Sequence, residues 1–444
     1  MTGTPLEPWI RTKIGLPATQ PLTRAALESY QLRKLQETVE YARQHSPLYR
    51  SLLQWIGGEE LTSLADIARL PFTTAADLRE DELRFLCVSQ GEIERVVTLH
   101  SSGTTAPPKR LHFTAEDLEL TVDFFHHGMS TLVKPDERVL ILMPGELPGS
   151  VGDLLVKGLG RMNVAGIMHG LVRDAGEVLD RIAAEEIDCL VGLPVQVLAL
   201  ARHPNAARLA PGRLKSILLS ADYVPAAVVR ELTAVFGAAV FNHYGMTEMG
   251  LGGGVECRHL CGYHLREADL FFEVVDPESG HPLPEGELGE VVFSTLTRRG
   301  MPLIRYRTGD LARFLPDPCP CGTVLRRLER VRGRLAGEVR LGNGYPLNIT
   351  ELDEALFTLP FLLDYQPMVS SRDGQACLDV AIETREIADE DAAALVRRAL
   401  LEVRAVRRAV AEGRLVLGTV GRGAFARSIS IKRTVIDQRK EQPC

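Results

Sequence analysis

Three stretches of this 444-residue chain gather side chains suited to phosphate, a flat base and a sugar diol. Residues 99–109 read LHSSGTTAPPK. Ser101, Ser102, Thr104 and Thr105 supply hydroxyls, Gly103 lets a ligand approach the backbone, and Lys109 adds a mobile positive charge suited to phosphate. The stretch does not satisfy G-x-x-x-x-G-K-[ST], and a Ser/Thr-rich turn before a helix is the plainer alternative. Residues 241–250, FNHYGMTEMG, follow an apolar strand. There Tyr244 can stack on a base, Thr247 can bond a phosphate oxygen and Glu248 can hold Mg2+, against the alternative of a structural turn with a surface Glu. Residues 302–314, PLIRYRTGDLARF, set Arg305, Arg307 and Asp310 in a turn at a strand end, where an Asp suits a ribose diol.

A fourth constellation is of another kind. VECRHLCGYH carries Cys257, His259, Cys261 and His264, and PDPCPCG carries Cys319 and Cys321. Neither half is a complete zinc site, but thiolates and imidazoles from two loops can close a tetrahedral one. The alternative is small buried thiols in tight loops. Eight cysteines in this length are too few for a disulfide scaffold.

The elements that must carry these loops are legible as apolar runs. RVLILMP (138–144), DCLVGLP (188–194) and LKSILLSA (214–221) read as buried strands, and AGEVLDRIAAEE (175–186) and PAAVVRELTAVFG (225–237) as the helices between them. Such alternation predicts a parallel sheet wrapped by helices, with ligands at the carboxyl ends of its strands. Residues 96–99 form a short strand. Leu32, Leu35 and Val39 set a helical spacing within 22–55, interrupted by a turn at HSPLYR (45–50). From 269 to 314 the pattern is antiparallel: a hairpin or small barrel. Beyond the Gly-rich 333–337, a helix near 350–358, a strand in LDVAIETRE, a charged helix over 389–411 and a strand in RLVLGTV predict a small α+β unit.

Composition bounds the rest. Hydrophobic residues make up 45% and charged residues 25%, and the net charge is −7, which argues against a general nucleic-acid or membrane binder. With no apolar leader or long apolar span, the expected location is cytoplasmic.

SSGTTxPPK, YGMTE, YRTGD and RVRGR, in this order and at roughly this spacing, resemble the adenylate-forming superfamily of acyl-CoA synthetases, luciferases and peptide-synthetase adenylation domains. HSPLYR, LPFTTAADLR, PLIRYRTGD and CPCG resemble its phenylacetate-CoA ligase branch, over about 30–440. The resemblance implies a large N-terminal AMP-binding domain (1–333), with parallel sheets wrapped by helices and a small β-barrel-like part. A small α+β C-terminal domain (334–444) then moves on a hinge. It implies an acid:thiol ligase that uses ATP, Mg2+ and coenzyme A to convert a small aryl or short-chain carboxylic acid to an acyl-adenylate and then a thioester. A homodimer is implied as well.

By motif match, the resemblance has residues 101–105 and Lys109 grip the β- and γ-phosphates. Ala221 and Asp222 edge the adenine, Tyr244 with Gly245 and Met246 lies along its face, Thr247 meets the α-phosphate and Glu248 holds Mg2+. Asp310 and Arg334 hold the ribose, and Lys432 is the catalytic lysine. Relatives sharing the cysteine motifs make Cys257, His264, Cys319 and Cys321 the preferred zinc ligands. Three positions depart from the pattern: Ala106 replaces a usual Gly, 335–337 lack the usual acidic residue, and Lys432 lies one residue past the aligned position of Ile431. Two alternatives stand beside the ligase: transfer of the acyl group to a carrier-protein thiol or an amine, and a nucleotide-binding sensor or assembly protein with degenerate catalysis. His126 and His127 are candidates for the acyl pocket, with a structural role as the alternative, and Gly250–Gly254 for substrate room.

Overall fold

Short apolar runs covered on both sides build the central sheet. The computed structural model describes residues 3–99, 107–341, 344–372, 374–425 and 433–440. Strands β1 (Ile93–Leu99) and β2 (Lys109–Thr114) form an antiparallel hairpin. Strands β3 (Arg138–Leu142), β4 (Ala165–Met168), β5 (Cys189–Gly192), β6 (Ser216–Leu219) and β7 (Ala239–Tyr244) then run parallel, in the order β4-β3-β5-β6-β7. Strands β8 (Gly254–Glu256) and β9 (Tyr263–Leu265) extend this sheet antiparallel beyond β7.

Side chains alternate across the sheet, as the pleat requires. Val139, Ile141, Val191, Leu218 and Phe241 pack on one face with helix Ala115–Met129, while Leu140, Leu142, Leu190, Ile217, Leu219 and Val240 pack on the other with helices Pro194–Arg202 and Ala226–Phe236. Both faces are dry, which is why these strands read as unbroken apolar runs.

Strands β10 (Leu270–Val275), β11 (Gly289–Thr295) and β12 (Tyr306–Ala312) start a second, antiparallel sheet. After β13 (Arg327–Leu328), which joins β9, β14 (Gly333–Arg334) completes that second sheet against β12. Strands β15 (Val339–Leu341) and β16 (Tyr345–Leu347) pair, and β17 (Leu362–Arg372), β18 (Gln375–Thr384), β19 (Leu415–Arg422) and β20 (Ile436–Asp437) make a four-stranded sheet in the order β19-β18-β17-β20. Its apolar face joins the core cluster that also holds Leu198 and Val228, so this unit seats on the helices covering one face of the central sheet. The Arg202 guanidinium fixes that seat by donating to the carbonyls of Leu362 and, at 2.8 Å, Phe357.

The mixed α/β architecture agrees with the sequence expectation, with four local differences. HSPLYR is no turn: the Ser46 hydroxyl accepts from Tyr49 N and starts the helix Pro47–Leu52, with proline at its tolerant first position. YRTGD lies within β12 and not in a turn; Gly309, at φ +75°, and a register shift opposite Glu290/Val292 bend the strand there. The charged helix is two, Asp389–Leu400 and Arg404–Ala411, because i→i−3 bonds from Glu402 and Val403 tighten the first one's end while Val403 turns into the core. Strand β17 was not expected at all. No helix among the described residues is long and apolar enough to cross a membrane.

Candidate active site

Two loops at the carboxyl ends of β6 and β7 meet the start of β2 and the bend of β12. Glu248 sits in the single 3-10 turn Thr247–Met249 directly after β7 and is 2% exposed. Its carboxylate pairs with the Lys109 ammonium and accepts the Tyr306 hydroxyl at 3.1 Å. Burial alone would raise the Glu248 carboxyl, but the Lys109 charge and these hydrogen bonds outweigh it and hold the group below the usual carboxylate range. Arg298 donates to the Glu248 carbonyl at 2.7 Å and lies 4.3 Å over the Phe113 ring, and its Nε and Nη2 are buried without a partner among the described residues. A cation-bearing pocket around one buried carboxylate is suited to phosphate oxygens and to a divalent cation with oxygen ligands.

The second cluster is centred on Asp310, paired across β12 and β14 with Arg334. Arg334 Nε donates to one carboxylate oxygen at 2.6 Å, and Tyr244 OH donates to the other at 3.0 Å. The Tyr244 ring stacks on Tyr263 with centroids 5.6 Å apart and is buried. Burial and then the Asp310 charge push its hydroxyl well above the usual phenol range, so it stays a donor. At the end of β6, Ala221 has φ +72°, a backbone state uncommon outside glycine that marks a tightly specified turn. The Asp222 carboxylate accepts from Tyr223 N at 2.9 Å. Gly245 is required by packing, since a Cβ there would lie 2.5 Å from the Leu251 carbonyl oxygen. Met246 is the residue preceding the Thr247–Met249 turn.

The structure thus brings Lys109, Ala221, Asp222, Tyr244, Gly245, Met246, Thr247, Glu248, Asp310 and Arg334 to neighbouring strand ends. Ser101, Ser102, Gly103, Thr104, Thr105 and Lys432 lie outside the described residues. Arg305 and Arg307 are turned away into pairs with Glu273 and Glu290. Tyr306 and Arg298 were not anticipated: Tyr306 stood within a quoted motif but offered no charge, and Arg298 lay in a stretch without one.

Beside these loops lies a small cavity on the Phe241 face of the sheet. Phe124, Phe125, Met129, Met143, Leu218 and Val255 form its apolar walls. Ser220 and His243 complete it with 2.8 Å between Ser220 Oγ and His243 Nδ1. His126 and His127 do not line it; His127 stacks on Trp9 at 5.3 Å and faces Asp123, a structural arrangement. A larger cleft between the central sheet and the C-terminal unit is lined by residues such as Arg95, His169, Gln196 and Arg385 and by none of the motif residues above.

Some distance along the β8–β9 turn, Cys257, His264, Cys319 and Cys321 are buried with one ligand atom from each within 4.8 Å of the others. Cys257 and Cys319 Sγ are 3.7 Å apart, too far for a disulfide, and Cys321 Sγ is 3.5 Å from His264 Nε2. A tetrahedral Zn–S bond of about 2.3 Å implies S···S edges of about 3.8 Å, so the donor set fits the ion. Cys261 lies outside the four, accepting from Arg327 at 3.0 Å. Burial above all pushes the Cys257 thiol up to about 12 and the His264 imidazole down to about 4.

Comparison with known proteins agrees with this geometry. The family model described as "AMP-binding enzyme" matches residues 69–297. A phenylacetate-coenzyme A ligase of Thermus thermophilus is 30% identical over 376 residues, covering 81% of each chain. That of Escherichia coli K12 is 28% identical over 377 residues, covering 81% of this chain and 83% of the other. Crystal structures of 2-hydroxyisobutyryl-CoA ligase share the fold: TM-score 0.79 in the postadenylation state with 2-HIB-AMP, at 22% identity and covering 96% of this chain and 94% of that one. The score is 0.67 in the thioesterification state with 2-HIB-AMP and CoA, at 23% identity and with 94% and 91% covered. The chain therefore belongs to the AMP-binding enzyme family, on the branch that holds the phenylacetate-coenzyme A ligases.

Proposed function

We propose that this protein is an ATP-dependent carboxylic acid:CoA ligase, which forms an acyl-adenylate with release of pyrophosphate and then an acyl-CoA thioester. The observation that carries the reading is the meeting of Lys109, Glu248, Tyr244, Asp310 and Arg334 at the carboxyl ends of β6 and β7. A carboxylate is a poor electrophile, and its activation requires charge on the transferring phosphorus to be offset and the reactants aligned.

In this reading Asp310 and Arg334 hold the ribose, the turn at Ala221 and Asp222 edges the adenine, and Tyr244, Gly245 and Met246 lie beside it. Thr247 bonds the α-phosphate. Ser101, Ser102, Gly103, Thr104, Thr105 and Lys109 bind the departing phosphates, and Lys432 serves adenylation; the motif match supports these assignments. Glu248 is the residue that would hold Mg2+, which offsets phosphate charge when bound. Lys109 then leaves Glu248 for phosphate, a move its flexible stem permits. The domain boundary falls at 333/334, so the C-terminal unit turns about Arg334. Cys257, His264, Cys319 and Cys321 would hold a structural Zn2+, with four protein ligands and no open position. The assembly is a homodimer, in line with the resemblance, and sedimentation of the purified protein as a monomer would remove that part.

Carboxylate-dependent exchange of labelled pyrophosphate into ATP tests the first step, and its absence across aryl and short-chain acids overturns the ligase reading. Thioester formation with CoA, compared with a carrier protein and simple amines, tests the acceptor. Elemental analysis is expected to find about one zinc per chain, and its absence would dismiss the metal centre.

A further inference from the structure

One wall of the small cavity is a histidine with a ring nitrogen that finds no partner among the described residues. His243 lines the apolar pocket, and its Nε2 is buried and has no hydrogen-bond partner among the described residues. A buried donor or acceptor left alone is costly, which makes it an informative exception. The ring is fixed by Ser220 at Nδ1 and by the aromatic rings of Phe124 and Phe125, with centroids 6.1 and 6.4 Å away. Burial lowers the imidazole pKa to about 4, so it is neutral near pH 7. A neutral imidazole has one N–H and one lone pair, and the Ser220 hydroxyl can satisfy Nδ1 in either tautomer. Nε2 is therefore either donor or acceptor, and a hydroxyl complements both.

Three further observations narrow the ligand. Among the described residues no charged side chain lines the cavity, so neither an ammonium nor a second carboxylate finds a counter-ion among them. The cavity volume is about 50 Å3, below the usual range of small-molecule sites, so it suits a compact apolar portion of an acid. The pleat directs His243 to the face shared with Phe241, opposite the face of Tyr244. Its position suits the apolar end of the acid more than the carboxylate awaiting adenylation.

We infer that this cavity is the acyl pocket and that His243, held by Ser220, is a specificity-determining residue selecting a carboxylic acid with a hydroxyl on its apolar portion. The inference deepens the ligase reading and rests on it. It is tested with matched acids: phenylacetate against para-hydroxyphenylacetate, benzoate against meta-hydroxybenzoate, and isobutyrate against α-hydroxyisobutyrate. Calorimetric binding, with a non-cleavable ATP analogue present, and pyrophosphate exchange are measured in parallel on wild type, His243→Leu and His243→Gln. In at least one pair, wild type is expected to favour the hydroxylated acid by about tenfold or more in both readouts. His243→Leu should bring that ratio close to one, and His243→Gln, which keeps a hydrogen-bonding group, should restore part of it. Ratios of one in wild type, or a ratio unchanged in His243→Leu, overturn the inference; an equal loss for both acids would instead assign His243 to the carboxylate. Discrimination in binding without exchange for any acid would sustain the pocket and remove the ligase reading. If His243→Leu does not fold, the wild-type ratios and His243→Gln still decide.

Discussion

The cluster at Glu248 and the cavity at His243 share the carboxyl end of β7 and differ in how they are satisfied. Around Glu248 and Asp310 the carboxylates are already engaged, by Lys109 and Tyr306 in one case and by Arg334 and Tyr244 in the other. In the cavity the walls are mostly apolar and the His243 Nε2 has no partner among the described residues. A nucleotide entering the first region must therefore exchange partners with the protein, whereas an acid entering the second completes a set that is one partner short. Exchange favours release as readily as binding, and completion favours selection.

The largest expected effect breaks the first region. Glu248→Gln removes the buried charge that Lys109 faces and the oxygen proposed for Mg2+, and should lower pyrophosphate exchange by on the order of a thousandfold with little change in acid affinity. A loss below about tenfold would mean that Glu248 is a packing residue. On the cavity side, Gly252→Ala places a Cβ about 2.3 Å from the Phe124 ring and 3.5 Å from His243 Nε2. The ring must then move, and KM for the acid is expected to rise about ten- to a hundredfold while KM for ATP moves far less; equal shifts would merge the two regions into one.

Acid should strain the cavity through stability. His243 titrates near 4 in the folded protein and near 6.5 in an unfolded chain, so the unfolded state binds the proton first as pH falls. Its contribution is complete above about pH 6.5 and is lost towards pH 4, on the order of 2–3 kcal/mol. Denaturant titrations of His243→Gln should show a shallower decline over that window than wild type; parallel curves would show the ring is not enclosed. The smallest effect is expected from Tyr306→Phe, which deletes one hydrogen bond to Glu248 and should cost about 1 kcal/mol, a few-fold in exchange.

Much of this was legible in the chain because strands buried on both faces must be apolar throughout, as 138–144, 188–194 and 214–221 are. Motif spacing names Lys109, Glu248, Asp310 and Arg334, which the fold brings to neighbouring strand ends. Strand β17 stayed hidden because LLDYQPMVSSR alternates weakly and carries Pro367, a residue expected at strand edges. The cavity stayed hidden for a different reason. Its walls come from helices Ala115–Met129 and Val151–Gly160, from β5 to β8 and from Met143 after β3, and no local pattern records which distant apolar residues fail to fill a space. His243 stands within its motif but carries no chemistry of its own there, since only the fold reveals that its second nitrogen has no partner among the described residues.

Ser220 and His243 face each other where β6 and β7 end, and Ala221 and Tyr244 follow them directly. If the two sides serve acid and nucleotide, successive residues on each strand address different ligands, separated by a single backbone step of about 3.3 Å. Such an arrangement divides evolutionary change unevenly. Substitution at 220 or 243 can retune which acid is accepted while the nucleotide grip keeps its coordinates, but inserting or deleting one residue would swap the two faces and abolish both at once.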